Sequence, residues 1–300
     1  MRLFLVDSSI YIYKAWYGAG IERVNCDQQP NQAFIGFSDF VYHLLSERAP
    51  QKLVFAFDQS QQQSQRKTLY KLYKANRSPT PPALRRQFDW CRQWVEALGI
   101  SAVSSDCWEA DDLIGSLASL HRRDDLPIVI LTADKDLTQL IHEGDEWCTF
   151  FDDHKLDYRG IEKKYKVKPE QISEQLALSG DKVDNIPGIP LVGTRTAANL
   201  LRRFGTLANL RENLNEVGKM KFRYASQVQA SLIEHEKLLD ISSQLTRINC
   251  DIEAMRDVSI NRLKPDFDGL EQLMEFHAMD KKRRHKWQDY LRSLQQSESV

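Results

Sequence analysis

Glu109, Asp111 and Asp112 place three carboxylates within four residues, directly before an apolar run of helical period. Crowding of like charges is costly unless cations relieve it. On a helix, Glu109 and Asp112 are i and i+3 and share a face, while Asp111 points about 100° away from Asp112, so one cluster can address more than one ion. The plainer use of such a stretch is a helix N-terminus, where acids satisfy free N–H groups and the macrodipole. From these residues alone the two uses weigh about equally. Six further acids, Asp7, Asp58, Asp134, Asp136, Asp181 and Asp184, recur at the ends of predicted elements and shift the balance toward metal binding.

The elements that must position them follow from the apolar pattern. Leu3 to Val6 is a short buried strand ending in Asp7, Leu53 to Phe57 one ending in Asp58, and Pro127 to Leu131 one ending before Asp134 and Asp136. Capping by Ser8 or Ser9 explains one such Asp, and repetition weakens that explanation. Strands alternating with helical stretches predict an α/β fold with a mainly parallel central sheet flanked by helices, whose ligands gather beyond the carboxyl ends of the strands. Leu84 to Leu98 reads as an amphipathic helix with Phe88, Trp94, Val95 and Leu98 toward the core, and Trp147 to Phe151 as an edge-like run.

Composition sets the outer limits. Three hundred residues with 42% hydrophobic content can build a sizeable core, and no apolar run approaches the ~20 residues of a membrane span, so a cytoplasmic protein without membrane contact is expected. Five cysteines without C-x-x-C spacing argue against a disulfide framework or a zinc ribbon. The net charge of −1 hides a segregation: with the nine clustered acids set aside, the remainder carries +8. Between Ser60 and Arg92 stand eight Lys or Arg and one acid, Asp89. That distribution suits an anionic ligand delivered to metal-bearing carboxylates.

Gln59 to Gln65 is a loop by composition, and Arg66 to Asn76 predicts a helix ended by Pro79, Pro81 and Pro82. On it Lys67, Lys71 and Lys74 form one stripe, and Arg66, Tyr70, Tyr73 and Arg77 an adjacent one. A solvated basic face is the ordinary use of such a run. Interleaved cations and aromatic rings also suit phosphate contact with stacking on unpaired bases, and that use is favoured here. Further on, Asp181 and Asp184 are again i and i+3, in a turn rich in Asp, Asn, Gly and Pro that is explicable as a turn alone. Gly188 and Gly193 then precede a helix over Thr194 to Phe204 that carries Arg195 and Thr196. Exposed N–H groups and basic residues there suit sequence-independent contact with a duplex backbone.

Taken in order, Leu5-Val6-Asp7-Ser8-Ser9, Phe55-Ala56-Phe57-Asp58, Tyr73-Lys74-Ala75-Asn76-Arg77, Glu109-Ala110-Asp111-Asp112, Thr132-Ala133-Asp134-Lys135-Asp136 and Gly180-Asp181-Lys182-Val183-Asp184-Asn185-Ile186-Pro187-Gly188 closely resemble the 5′ nuclease family, which includes the N-terminal domain of bacterial DNA polymerase I, phage 5′ exonucleases and flap endonucleases. The resemblance spans roughly residues 3 to 252. It implies a PIN-like nuclease core at 1–160 with a helical arch at 59–82, a helical DNA-binding subdomain at 161–260 with a helix–turn–helix near 180–205, and a basic, partly flexible C-terminal extension at 261–300. No polymerase domain follows, which suggests a free-standing nuclease.

The implied activity is 5′→3′ exonuclease and 5′ flap endonuclease on branched or nicked duplex DNA, with RNA-primed 5′ strands as a further substrate class, in repair or replication. Two Mg²⁺ ions are implied, with Mn²⁺ able to substitute. Asp7, Asp58, Glu109 and Asp111 surround the first ion, with Asp111 shared; Asp134, Asp136 and Asp181 surround the second; Asp112 and Asp184 lie in the outer shell. Lys74 and Arg77 match the residues that steer the scissile phosphate, and the glycine turn matches an element that often holds K⁺. Leu191 stands where glycine is common, Arg195 where lysine is usual, and Cys107-Trp108 where Gly-Val is commoner. A junction-binding protein with little catalysis and a PIN-like ribonuclease are the rival readings; the full acidic set argues against the first, and residues 59–82 and 180–205 against the second. A monomer is expected.

Overall fold

The computed structural model describes residues 1–18, 20, 23–59, 64–151 and 154–297. Part of the predicted loop at 59–65 and of the basic segment lies outside these residues, as do residues 298–300. Six strands form one sheet: β1 (Leu3–Asp7), β2 (Lys52–Asp58), β3 (Ser101–Ser105), β4 (Ile128–Leu131), β5 (Glu146–Cys148) and β6 (Lys155–Leu156), in the order β3-β2-β1-β4-β5-β6. All neighbours are parallel except β5 and β6. The order reverses at β1 and β4, so a crevice forms between the carboxyl ends of the two central strands. The run at Trp147 is therefore not the edge, since β6 pairs beyond it. Strand β3, a serine-rich segment half-buried at the opposite edge, had no apolar signal to announce it.

Alternation along β2 divides the core. Leu53, Phe55 and Phe57 face one layer, built with helices α1 (Ser8–Gly18), α2 (Gln32–Arg48) and later α4 (Pro82–Ala97); Val54 and Ala56 face the other. Before α4 comes only a five-residue α3 (Gln65–Leu69), so the helix expected over Arg66 to Asn76 breaks into α3 and a run of turns. On the second face lie α5 (Ala110–Arg122), α6 (Tyr158–Tyr165), α7 (Ile172–Ser179) and α8 (Thr194–Phe204), followed by α9 (Leu207–Glu212), α10 (Leu214–Val217), α11 (Ala225–Glu234) and α12 (Glu236–Thr246). Val192, Leu200 and Leu232 join one apolar cluster with Leu5 and Ile130, so the helical region shares the sheet's core. Phe88, expected in the core, only packs against it half-buried, while Trp94, Val95 and Leu98 are fully inside. No described helix is long and apolar enough to cross a membrane, and all five cysteines are free.

Much of the basic C-terminal extension is helix packed on the core. Helices α13 (Phe267–Phe276) and α14 (Lys281–Ser297) return to the first layer, where Trp287, 1% exposed, meets Trp94 and Tyr42 with ring centroids 4.9 and 5.4 Å apart. Its basic start is partly spent on ion pairs: Arg283 with Asp39 at 2.7 Å, and Arg284 with Glu271. Trp287→Ala should therefore cost about 3–5 kcal/mol. Urea denaturation checks this, and an unchanged midpoint would remove the extension from the core.

His277 closes the same layer, stacked on Phe34 at 3.7 Å with both ring nitrogens buried and without hydrogen-bond partners. Burial pushes its pKa down from 6.5 to about 4. The folded state thus keeps the ring neutral where the unfolded chain takes up a proton. Stability is complete above pH 6.5 and falls as pH drops from 6.5 to 4, by about 3 kcal/mol in all. Urea midpoints followed across that window should fall less steeply in His277→Leu than in the parent; parallel curves would contradict the assignment.

Candidate metal and nucleic-acid site

The carboxylates singled out in the sequence stand at the ends of strands and helices along the crevice. Asp7 closes β1, is 4% exposed, and accepts the Thr132 hydroxyl at 2.9 Å from the end of β4. Asp58 closes β2, accepting Ser9 Oγ at 2.9 Å through Oδ2 and the Ala110 N–H at 2.9 Å through Oδ1. One aspartate therefore caps α5 across the sheet while facing the site. Glu109 precedes α5 in extended conformation, and its carbonyl accepts the N–H groups of Asp112 and Leu113. Beyond β4, Asp134 Oδ1 accepts the Asp136 N–H at 2.9 Å, a turn that presents both side chains to one side. Asp181 comes from the loop after α7; its Oδ1 accepts the Val183 N–H at 2.7 Å, and Asp184 follows, buried.

Burial and mutual repulsion dominate the electrostatics of the site. Burial, then the neighbouring Asp58, pushes Asp7 up to about 7, and burial with Asp134 does the same for Asp136. Asp111 is raised well above the usual carboxylate range by burial, Asp134 and Asp7, and Asp134 is raised chiefly by burial. Glu109 goes the other way: burial would raise it, but Lys74 and Arg66 outweigh burial and hold it below its ordinary value. Two buried oxygens, Glu109 Oε1 and Asp136 Oδ1, have no hydrogen-bond partner. Hard oxygen donors of this kind suit Mg²⁺ or Mn²⁺.

The segment after α3 supplies the cations. Lys74 Nζ lies 2.9 Å from Glu109 Oε2 and 3.7 Å from Asp184 Oδ2, and Arg77 pairs with Asp184. Tyr73, 3% exposed, donates its hydroxyl toward Glu109 at 3.1 Å and Asp184 at 3.3 Å. The turn is clamped onto the Asp181 loop by its backbone too, through Lys74 N–H to the Asp184 carbonyl at 2.9 Å and Asn185 Nδ2 to the Leu72 carbonyl at 2.7 Å. Among the described residues no group of three His, Cys, Asp or Glu side chains closes into a ligand set. Ammonium and guanidinium groups instead draw individual carboxylates to themselves.

Several expected nucleic-acid contacts are placed differently. Arg66 is committed inside the protein: its terminal nitrogens lie 2.7 Å from the two oxygens of Asp112, with further contacts to Glu109, Leu245 O and Arg247 O. Asp112 also accepts the N–H groups of Glu109 and Asn249, so its carboxylate ties α5 to α3 and to the chain after α12. Tyr73 is buried in the site rather than displayed for stacking, and Tyr70 packs beside it, half-buried. Lys67 is half-buried and Lys71 exposed. Lys135, which sequence reasoning missed among the aspartates of its motif, holds Asp181 at 2.6 Å. Its position between two site acids was the available signal.

Helices α7 and α8 flank the glycine turn as expected. Gly188 has φ +63, and a Cβ there would run into the backbone of Ser179 and Gly180. Leu191, where glycine is common, keeps the left-handed backbone with φ +68 and is 63% exposed. Gly193 and Arg195 are exposed at the start of α8, with Thr196 half-buried behind them.

A parallel sheet whose carboxyl edge gathers buried acids beneath a basic strap, with a helix–turn–helix alongside, has the architecture of an acidic-edge α/β nuclease. Comparison with known proteins agrees. The family described as 5′-3′ exonuclease, N-terminal resolvase-like domain, matches residues 2–177, and 5′-3′ exonuclease, C-terminal SAM fold, matches residues 167–268. The chain belongs to the 5′-3′ exonuclease family.

Among its relatives, a 5′-3′ exonuclease of Buchnera aphidicola subsp. Schizaphis graminum is 29% identical over 93% of this chain and 97% of its own length. A second, from Buchnera aphidicola subsp. Baizongia pistaciae, is 34% identical over 84% and 83%. DNA polymerase I of Pseudomonas aeruginosa is 36% identical over 88% of this chain, which spans only 28% of that protein. The fold is shared with T5 5′-exonuclease with bound zinc, at TM-score 0.65 and 16% identity over 92% of this chain and 100% of that one. It is also shared with the catalytic core of Rad2 in complex with DNA substrate, at 0.60 and 17% over 91% and 86%.

Proposed function

We propose that this chain is a divalent-metal-dependent 5′ nuclease that hydrolyses phosphodiester bonds in nicked or branched duplex DNA, as a 5′→3′ exonuclease and 5′ flap endonuclease serving repair or replication. The observation that carries it is the gathering of Asp7, Asp58, Glu109, Asp111, Asp134, Asp136 and Asp181 at one strand edge with Lys74 among them. Asp7, Asp58, Glu109 and Asp111 would hold one Mg²⁺ or Mn²⁺, and Asp111, Asp134, Asp136 and Asp181 a second, with Asp112 and Asp184 behind them. Bound ions would supply a more acidic attacking water and stabilisation of the leaving oxygen.

The chain's own part is to place the phosphate. Lys74 and Arg77 exchange carboxylate partners for phosphate oxygens when substrate arrives, and Tyr73 keeps Glu109 and Asp184 oriented. The turn before α8 grips the duplex backbone through Gly188, Gly193, Arg195 and Thr196, and Leu191 preserves the backbone shape that a K⁺ held by carbonyl groups needs. In domain terms, residues 1–160 carry most of the acids, 161–260 the duplex grip and the remaining ones, and 261–300 buttress the core. RNA-primed 5′ strands fit the same backbone-directed contacts.

Cleavage of a labelled 5′ flap duplex, beside a nicked duplex and a single strand, tests this with Mg²⁺ or EDTA. Mg²⁺-dependent cuts near the junction are expected. Tight junction binding without cleavage in Mg²⁺ or Mn²⁺ would instead identify a junction-binding module.

A further inference from the structure

We propose that a second cleft, behind the carboxylate site, binds a nucleotide unit, that is, a phosphate bearing a stackable base. The proposal deepens the nuclease reading and rests on it. The cleft measures about 700 Å³ and opens between α3, the loop leading into α5, and residues 244–251. That volume is in the range of ordinary small-ligand sites. Arg66 forms the partition: its guanidinium touches Glu109 of the carboxylate site at 3.2 Å and also lines the cleft.

Three observations point to this ligand. Arg123 and Arg247 line the cleft, are exposed, and have no ion-pair partner among the described residues. Asp112 beside them is held by Arg66 at 2.7 Å and Asp251 pairs only at the surface, at 3.3 Å from Arg256, so arginines outnumber acids along the lining and the cleft favours an anion. Ser64 also lines it, 3% exposed, with a hydroxyl that has no hydrogen-bond partner among the described residues. A buried unpaired hydroxyl is costly, and a phosphate oxygen would satisfy it.

The half-buried Trp108 adds an indole to the wall, a surface on which any base can stack. Asn249 beside it accepts the Asp251 N–H through Oδ1, and its NH₂ has no partner among the described residues, so it can meet a base edge or a sugar. A bare anion would make no use of the indole, and an apolar ligand none of the two guanidiniums. A nucleotide uses both.

The unit could come from the single-stranded 5′ tail or from a free mononucleotide, and one experiment separates them. With the full chain in EDTA, binding of a 3′-labelled, 5′-phosphorylated (dT)6 is followed by anisotropy. Unlabelled (dT)6, dTMP, deoxyribose 5-phosphate and inorganic phosphate serve as competitors. The doubly substituted Arg123→Gln, Arg247→Gln protein should bind the hexamer about tenfold or more weakly, and Trp108→Leu, checked for folding by circular dichroism, should also weaken it. Competition by dTMP as strong as by the hexamer identifies the mononucleotide; competition by the hexamer alone identifies the single strand. Wild-type affinity in the arginine variant, or phosphate competing as well as dTMP, overturns the cleft. Cleavage of a nicked duplex by the unaltered protein in Mg²⁺, run alongside, tests the nuclease reading separately.

Discussion

Asp111→Asn should abolish cleavage, by about 10³-fold or more, while leaving the protein at least as stable as its parent. The side chain keeps its shape and loses its charge. Of the acids at the crevice, Asp111 is raised well above its ordinary range by burial, Asp134 and Asp7, and no described side chain donates a hydrogen bond to it. Burial among other acids makes its charge unfavourable to folding. In the proposed mechanism the same charge is shared between two ions, and losing several kcal/mol of charge stabilisation corresponds to about three orders of magnitude in rate. Flap cleavage rates and thermal denaturation, measured on the same preparation, check both halves. Activity within about tenfold of the parent would remove the two-metal assignment, and a large drop in melting temperature would show that Asp111 is needed for the fold instead.

Lys74→Ala should slow cleavage by about 10²-fold while weakening duplex binding only a few-fold. Lys74 is nearly enclosed by Glu109, Asp184 and the Tyr73 ring, at 2.9, 3.7 and 5.0 Å. In the proposed mechanism a cation so placed would meet the reacting phosphate rather than the distant duplex, so its loss should fall on the rate more than on affinity. A second consequence concerns the metal. Without the ammonium, Glu109 and Asp184 lose a competing partner, so Mn²⁺ should bind more tightly to Lys74→Ala than to the parent in the absence of DNA. Calorimetric titration with Mn²⁺ and single-turnover cleavage check the two effects separately. Equal losses in rate and in duplex affinity would make Lys74 a simple binding contact.

Arg66 and Lys74 mark the limit of what sequence pattern can reach. Both stand on one basic, aromatic-rich stretch whose composition suits nucleic acid. In the fold, Arg66 is tied to Asp112 and the carbonyls of Leu245 and Arg247, while Lys74 enters the acid cluster. A five-residue helix followed by turns, with Lys74 at φ +53, replaces the continuous helix that would have aligned them. Local propensity could not anticipate that break, because hydrogen bonds to residues 182–185, more than a hundred positions away, stabilise it.

The order of the chemistry is already written in the chain. Short apolar runs ending in aspartate dictate strands whose carboxyl ends carry charge, and the parallel sheet that such runs build brings Asp7, Asp58, Asp134 and Asp136 to one edge whatever else happens. The glycines at 188 and 193 were legible as a turn before a helix, whereas the close backbone approach at Gly188 came with the fold. Which charges neutralise one another is settled by three-dimensional packing. Ion pairing depends on distances between groups far apart in sequence and on how deeply each is buried, and neither quantity is a local property. Hence Asp112 became a tie between helices, Lys135 a partner of Asp181, and the basic C-terminus a packed helix around Trp287.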